Sequence, residues 1–214
     1  MLPPMNLLAI DTALEACSVG VAAGGATPVL RSEIIGRGHA ERLFAMIEGA
    51  MAEAGLAPTA LDRIAVTVGP GSFTGIRVGI AAARGLALVI GCPVIGIGTL
   101  EALAEAARQR AGRVAVLAVI DAKRDEVYAQ AFDAGGAALS EPMASAAVLA
   151  GPGAGLVAAC LPAPADVVAV PPTPEIGTVL RLGGAATAPA QPPRPLYLRA
   201  PDAKPQAAAS LARR

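Results

Sequence analysis

The fold is decided by one stretch, AVTVGPGSFTGIRVGI, which runs from Ala65 to Ile80. Its first residues are apolar and β-branched, which predicts a buried strand, and the Gly-Pro-Gly that follows predicts a tight turn. Ser72 and Thr74 are both placed to cap the N-terminus of a following helix. The stretch therefore predicts a strand, a turn and a helix.

The glycines of this turn raise the question of a phosphate-binding loop. The Walker motif needs a second glycine where this chain has Thr74, and no lysine follows it. The dinucleotide fingerprint also fails, because Gly69, Gly71 and Gly75 are spaced GxGxxxG rather than GxGxxG. The spacing favours a structural turn over a nucleotide-binding loop.

A row of small residues follows the turn. Gly75, Gly79, Ala83 and Ala87 recur at every fourth position of the predicted helix 74–90 and so share one helix face. Such a row lets a neighbour approach closely, whether that neighbour is the protein's own sheet or a helix of another chain. The row by itself leaves both alternatives open.

Composition excludes several classes of protein. The 214-residue chain has 17 basic and 17 acidic residues, so no global field draws it to nucleic acid or to an anionic membrane. Cys17, Cys92 and Cys160 form no CxxC and are accompanied by a single histidine, which disfavours a disulfide framework or a zinc site. We expect a cytoplasmic protein without a membrane span, with flexible ends at residues 1–5 and 201–214.

Hydrophobic periodicity predicts the order βββαβαβ in the first half of the chain. Three antiparallel strands extended by parallel strands through helical crossovers are typical of the actin-like and ribonuclease H-like folds. The predicted strands cover residues 6–11, 17–22, 29–34, 64–68 and 93–97, and the predicted helices cover 39–54 and 74–90.

A second copy of the opening supports this α/β fold class. Ala118–Asp121 repeats the strand ending of Leu8–Asp11, and a strand over Glu126–Phe132 follows. The sequence thus predicts two related halves, the second degenerate, with an N-terminal domain over 6–100 and a smaller C-terminal domain over 101–200. Further predictions for the second half are a helix over 148–161, a strand over 166–170, a short helix over 176–183 and a strand over 196–198.

Candidate chemistry lies at the strand ends. A nuclease needs several carboxylates around two metal ions, and no acidic residue ends the strand 64–68. An actin-like ATPase or small-metabolite kinase would hold nucleotide and magnesium with Asp11, Thr12 and Asp121. The two aspartates fit equally well as strand-end acceptors for turn amides. With His39 as the single histidine, no catalytic triad is possible, and no catalytic residue is predicted.

Several motifs resemble those of the TsaB (YeaZ) family. The resemblance covers residues 6–132, and VGPGSFTGIRVG at Val68–Gly79 is its most specific block. The other blocks are IDT at 10–12, GHAERL at 38–43, DAKRDEVY at 121–128 and PLYLR at 195–199. This resemblance implies a non-catalytic bacterial subunit of the machinery that places a threonylcarbamoyl group on the adenosine beside the anticodon of ANN-decoding tRNAs.

The resemblance also implies partners. They are a TsaD-type catalytic paralogue, a TsaE-type ATPase, and a second copy of this chain when the paralogue is absent, with tRNA contacted only indirectly. ATP or ADP would bind at the interface of the complex rather than to the isolated chain. The His-x-x-x-His metal motif of TsaD-type chains would fall at Thr99 and Leu103, which cannot replace imidazole ligands, so no metal site is expected.

In this family the two N-terminal helices, here 39–54 and 74–90, contact the partner. The implied interface residues are His39, Arg42, Leu43, Met46, Gly75, Gly79 and Ala83. The small-residue row is then interpreted as interface, and Gly79→Leu is expected to block assembly without unfolding the monomer. The alternative hypothesis is an actin-like ATPase or small-metabolite kinase that acts alone.

Overall fold

The computed structural model describes residues 5–36, 38–123, 126–139, 148–150, 167–168 and 170–198. These residues form two β-sheets with helices packed on them. Cys17 is buried and Cys92 is half-buried, both as free thiols, whereas Cys160 lies outside the described residues.

The first sheet contains five strands in the order β3-β2-β1-β4-β5. Strands β1 to β3 form an antiparallel meander, and β4 and β5 extend it as parallel strands. Helix α1 (His39–Glu53) connects β3 to β4, and α2 (Phe73–Ile90) connects β4 to β5. The strands are β1 (Leu7–Asp11), β2 (Ala16–Ala22), β3 (Val29–Ile34), β4 (Arg63–Gly69) and β5 (Val94–Gly98). The predicted order βββαβαβ is confirmed.

Helices cover both faces of this sheet. Leu8 and Ile10 of β1 point into a core shared with α1 and α2. Leu7 and Ala9 point the other way, into a core shared with a late helix, α4 (Ile176–Ala185). Successive residues of a strand face opposite sides, and burial on both sides explains why β1 reads as a continuous apolar run.

The second sheet repeats the first in reduced form. Its order is β7-β6-β8-β9, and β6 pairs antiparallel with β7 and parallel with β8, as β1 does with β2 and β4. Helix α3 (Thr99–Ala111) packs on it through Leu100 and Leu103. The strands are β6 (Val116–Lys123), β7 (Glu126–Phe132), β8 (Val148–Ala150) and β9 (Val167–Val168). The prediction of two related halves, the second degenerate, is confirmed.

Three predictions for the second half need correction. Residues 148–150 form a strand rather than the start of a helix, because Val148 and Leu149 pair with β6; the rest of the predicted helix lies outside the described residues. Residues 196–198 form no strand, although the Leu196 N–H donates to the Val68 carbonyl at 2.7 Å. No helix was predicted directly after β5, but α3 begins there at Thr99. The Glu101 carboxylate accepts a hydrogen bond from the Gly98 N–H at 3.2 Å at the start of this helix.

The predicted domain boundary at residue 100 falls inside α3. The chain also returns to the first sheet after the second, because α4 packs on β1, β2 and β4. Arg63 of β4 fixes this return by donating from Nη1 to the carbonyls of Gly183 at 3.0 Å and Ala186 at 2.7 Å, at the C-terminal end of α4. Residues 176–198 therefore belong with the first sheet and not with the second.

The small-residue row of α2 packs on the protein's own sheet. A Cβ atom added at Gly79 would lie 2.5 Å from Thr12 Oγ1 and 3.4 Å from Val66 Cγ2, and one at Gly75 would collide with the Thr12 carbonyl. Ala83 is 0% exposed and belongs to the core that α2 shares with the sheet. The row is thus internal packing, and the prediction that Gly75, Gly79 and Ala83 form an interface is wrong.

Helix α2 also has the length and apolar composition of a membrane span. Its packing accounts for that composition, because the row of small residues is buried against β1 and β4. The opposite side carries Arg77 and Arg84, both exposed. These contacts are those of a helix that covers a sheet.

We predict that two glycines of α2 respond in opposite ways to alanine. Gly79→Ala places a methyl group against Thr12 and should lower the free energy of unfolding by roughly 1–3 kcal/mol. A Cβ at Gly85 meets nothing within 4 Å, so Gly85→Ala should raise it by up to about 1 kcal/mol through helix propensity. Urea unfolding of the two variants and the wild type measures both effects. A Gly79→Ala protein as stable as Gly85→Ala would contradict this packing.

Candidate functional site

Polar side chains gather where β1 and β4 end. Asp11 ends β1, Thr12 follows it, and Thr67 lies on the neighbouring parallel strand β4. The turn Gly69–Ser72 then leads into α2. Open α/β sheets bind ligands at the carboxyl ends of their strands, so this region, which we call the carboxyl edge, is the first candidate site.

Asp11 is fully buried at the carboxyl edge. Its Oδ1 accepts hydrogen bonds from Thr67 Oγ1 at 2.6 Å and from the Ala13 N–H at 3.1 Å. Its Oδ2 is buried without a hydrogen-bond partner among the described residues. Burial raises the pKa of Asp11 from 3.8 to about 6, and the two hydrogen bonds lower it in part. Asp11 therefore acts as a strand-end acceptor for a turn amide, one of its two predicted roles.

The turn after β4 closes this edge. The Ser72 N–H donates to the Ala13 carbonyl at 2.7 Å, and a Cβ atom at Gly71 would collide with the same carbonyl. Thr12 is 1% exposed, and its Oγ1 donates to the Gly75 carbonyl at 2.7 Å. The backbone of the turn Gly69–Ser72 and of the first turn of α2 therefore covers the side chains of Asp11 and Thr12.

Two of the predicted nucleotide contacts, Asp11 and Thr12, are covered by this closure, and neither side chain reaches the surface. A nucleotide contact at either residue stays a prediction. Asp121, the third predicted contact, lies in the second sheet, where it is half-buried and pairs in register with Val127 of β7. Its role as a nucleotide contact stays a prediction.

Of the two predicted caps of α2, Ser72 is the one that forms. Its Oγ accepts from the Gly75 N–H at 3.2 Å, which satisfies one of the free amides at the start of the helix. The carboxyl edge is therefore a structural junction, in which the turn, the helix cap and the strand ends form hydrogen bonds with one another.

Most predicted interface residues of α1 also face inward. Leu43 and Met46 are 0% and 2% exposed and lie in the core, and His39 is 8% exposed. The interface prediction is wrong for these three, because the apolar spacing that marks a helix in sequence marks its core side. Arg42 is exposed, but its guanidinium pairs with Glu33 of β3 at 2.5 Å.

The residues that do face outward were missed. Phe44 of α1 is 56% exposed, and Leu88 and Val89 of α2 are each 86% exposed. We call the exposed sides of these two helices the outer face; it comprises Glu41, Phe44 and Glu48 on α1 and Arg77, Arg84, Leu88 and Val89 on α2. Arg77 and Arg84 are seven positions apart in an otherwise apolar helix, and they were the sequence signal that marks the solvent-facing side of α2.

The two helices of the outer face carry opposite charges. Glu41 and Glu48 stand on α1, whereas Arg77 and Arg84 stand on α2, which has no acidic residue. None of the four forms a salt bridge within the part of the chain that the structure describes. The exposed sides of the two helices therefore offer a partner charges of opposite sign.

Arg77 links α2 to the C-terminal segment. Its Nε donates to the Tyr197 hydroxyl at 2.7 Å, and its guanidinium carbon lies 3.7 Å from the centre of the Phe73 ring. The Phe73 and Tyr197 rings are 4.9 Å apart. Residues 195–198 are thus held beside the first turn of α2.

Thr99 and Leu103, where the His-x-x-x-His motif of TsaD-type chains would fall, are part of the core. Thr99 and Leu103 are both fully buried at the start of α3. Within the described ranges, no three His, Cys, Asp or Glu residues are grouped so that they could hold a metal ion. These two positions contribute packing rather than ligands.

Asp11 should make stability depend on pH. Its folded pKa of about 6 lies above its ordinary 3.8, so the folded state holds the proton more tightly, and stability falls as the pH rises from about 4 to about 6. The full loss is about 3 kcal/mol for this one group, of which about 2 kcal/mol falls between pH 4.5 and pH 7.5. Asp11→Asn keeps an acceptor for Thr67 and carries no charge, so we expect it to lack this loss. Urea unfolding at pH 4.5 and pH 7.5 measures the change, and an equal pH dependence in the wild type and the variant would refute it.

Known proteins resemble this chain along most of its length. The family model for TsaD, tRNA N6-adenosine threonylcarbamoyltransferase, matches residues 18–156. The tRNA threonylcarbamoyladenosine biosynthesis protein TsaB of Escherichia coli is 44% identical over 124 residues, which are 58% of this chain and 53% of that protein. An uncharacterized protein of Mycobacterium tuberculosis is 39% identical over 210 residues, 94% of this chain and 95% of its own.

A solved structure agrees with these matches. YeaZ from Pseudomonas aeruginosa has a TM-score of 0.78 and 34% identity, and the match covers 91% of this chain and 100% of that one. The chain spans about half the length of the TsaB relatives from E. coli and Haemophilus influenzae, 53% and 52%. With its actin-like, ribonuclease H-like fold, the chain belongs to the TsaB (YeaZ) family.

Proposed function

We propose that this protein is a non-catalytic subunit in the biosynthesis of tRNA threonylcarbamoyladenosine and binds a TsaD-type catalytic paralogue. The pathway comes from the names of the relatives and of the matched family model. The observation that carries the proposal is the outer face, because it leaves Phe44, Leu88 and Val89 exposed on two adjacent helices.

Burial of these side chains is the source of binding energy in the proposal. Each large aliphatic or aromatic side chain that a partner covers contributes roughly 1.5–3 kcal/mol to binding. This figure does not include the entropy that the two proteins lose when they associate. Exposed aromatic and arginine residues are also frequent among the residues that dominate binding. Phe44 and Arg84 are of these two types.

The charges of the outer face supply orientation. A partner helix must place basic groups against Glu41 and Glu48 and acidic groups against Arg77 and Arg84. A second copy of this chain, turned by a twofold axis, meets that condition by setting α1 against α2. We therefore propose that the same face serves a homodimer when the paralogue is absent.

The closed carboxyl edge supports the non-catalytic part of the proposal. Asp11 and Thr12 are covered by the turn Gly69–Ser72, and Thr99 and Leu103 are buried where a metal motif would stand. In the proposed complex this chain supplies no acid, base or nucleophile and acts by holding the paralogue in an active conformation. ATP or ADP then binds at the interface of the complex, a TsaE-type ATPase joins the assembly, and this chain contacts the tRNA only indirectly.

We expect Leu88→Glu to weaken binding of the paralogue by at least about thirty-fold, as for a central interface residue. Leu88 is 86% exposed, so the monomer should keep its stability. Calorimetric titration of the purified paralogue, with threonylcarbamoyl transfer by the mixture as a second readout, measures the effect.

Leu30→Glu is the matched control for this test. Leu30 is 52% exposed on β3 and lies beside Gly177 of α4, on the opposite side of the sheet from α1 and α2. Wild-type binding by Leu88→Glu, or equal loss in Leu30→Glu, would place the partner elsewhere.

A further inference from the structure

The segment 189–197, which we call the C-terminal strap, follows α2 from one end to the other. Its first residues, Pro189–Pro192, lie beside Leu88 near the end of α2. Pro193 packs where a Cβ at Gly96 of β5 would lie, 2.9 Å away. Tyr197 reaches Phe73 and Arg77 at the start of the helix.

The lengths of the strap and the helix match. At the polyproline rise of about 3.1 Å per residue, the strap spans about 25 Å. The 18 residues of α2 span about 27 Å at 1.5 Å each. The Arg77 hydrogen bond to Tyr197 and the Leu196 hydrogen bond to Val68, both 2.7 Å, hold the far end of the strap in place. The strap therefore lies beside α2 at both ends of the helix.

A pocket of about 440 Å³ lies between the strap and the second half of α2. Its walls are largely apolar, with Leu88, Cys92, Val94, Pro189 and Pro192 among them. Among the described residues that line it, Arg84 and Gln191 contribute a charged and an amide side chain. Within the described chain, Arg84 makes no salt bridge, and the pocket is large enough for a substantial apolar group.

We propose that this pocket receives one large apolar side chain of the partner subunit, with a carboxylate of the same partner segment on Arg84. The apolar walls favour the first group, and the guanidinium of Arg84, which makes no salt bridge among the described residues, favours the second. The pocket opens beside Leu88, a residue of the outer face, so one partner helix can cover both. This inference rests on the proposed function and adds the strap to the binding surface.

The pocket can be filled without disturbing the fold. Gly85 lines it, and a Cβ at this position meets nothing within 4 Å. Gly85→Leu should therefore keep or raise the melting temperature while occupying the space meant for the partner. We expect at least tenfold weaker binding of the purified TsaD-type paralogue in calorimetric titration. Ala111→Leu, which places a leucine at an exposed position of α3, should bind like the wild type.

Two substitutions of Arg84 test for the carboxylate. Arg84→Met keeps an apolar stem without charge, and Arg84→Glu reverses the charge. We expect a several-fold loss of affinity for the first and a further tenfold loss for the second, the difference shrinking in high salt. Equal affinities of the two variants would overturn the carboxylate contact.

The titrations separate the two proposals. If the wild type binds the paralogue and Gly85→Leu binds within twofold of it, the pocket is not used and this inference alone fails. If the wild type does not bind the paralogue at all, the proposed function fails and the inference fails with it. If Gly85→Leu weakens only self-association, the occupant is a second copy of this chain, and the pocket assignment to the paralogue is overturned.

Discussion

The contact between the start of α2 and the end of β1 is the constraint on which the rest of the structure depends. Gly75 and Gly79 have no side chains, so the helix lies directly against Thr12, whose hydroxyl donates to the Gly75 carbonyl. This contact covers Asp11 and leaves its carboxylate where burial disfavours the charge. It also fixes which side of α2 faces solvent. This one contact therefore closes the strand ends and leaves Leu88 exposed. For this reason we place the proposed function on the surface of the helices and not at the edge of the sheet.

Much of the first sheet could be predicted from sequence, because its signals are local. Each of the five strands is a short apolar run bounded by turn residues, and α1 and α2 follow helical spacing. The turn after β4 and its Ser72 cap were also readable, since a glycine-proline-glycine turn before a hydroxyl residue favours one local geometry. The repeat at Asp11 and Asp121 indicated a second, related sheet, which the strand order confirms.

The side of α2 that packs on the sheet was predicted wrongly, because the helix is apolar except for Arg77 and Arg84 and the small-residue row drew the interpretation away from these two arginines. A row of small residues fits a sheet as well as a partner helix, and only the contact of Gly79 with Thr12 distinguishes them. Asp11 was ambiguous for a similar reason, since closure of the edge depends on backbone distant in sequence. The packing of α4 on the first sheet depends on Arg63, which is 120 residues from Gly183 in the sequence. No local sequence pattern predicts a contact over that separation.

The central claim is that the outer face of α1 and α2 meets the TsaD-type paralogue while the opposite side of the sheet stays free. Hydroxyl-radical footprinting of the wild-type chain, alone and with the purified paralogue, tests it at individual side chains. We predict that oxidation of Phe44 and Leu88, which are 56% and 86% exposed in the free chain, falls strongly in the complex, while that of Leu30 is unchanged. Unchanged oxidation of Phe44 and Leu88 in a formed complex, or protection of Leu30 in their place, would contradict it.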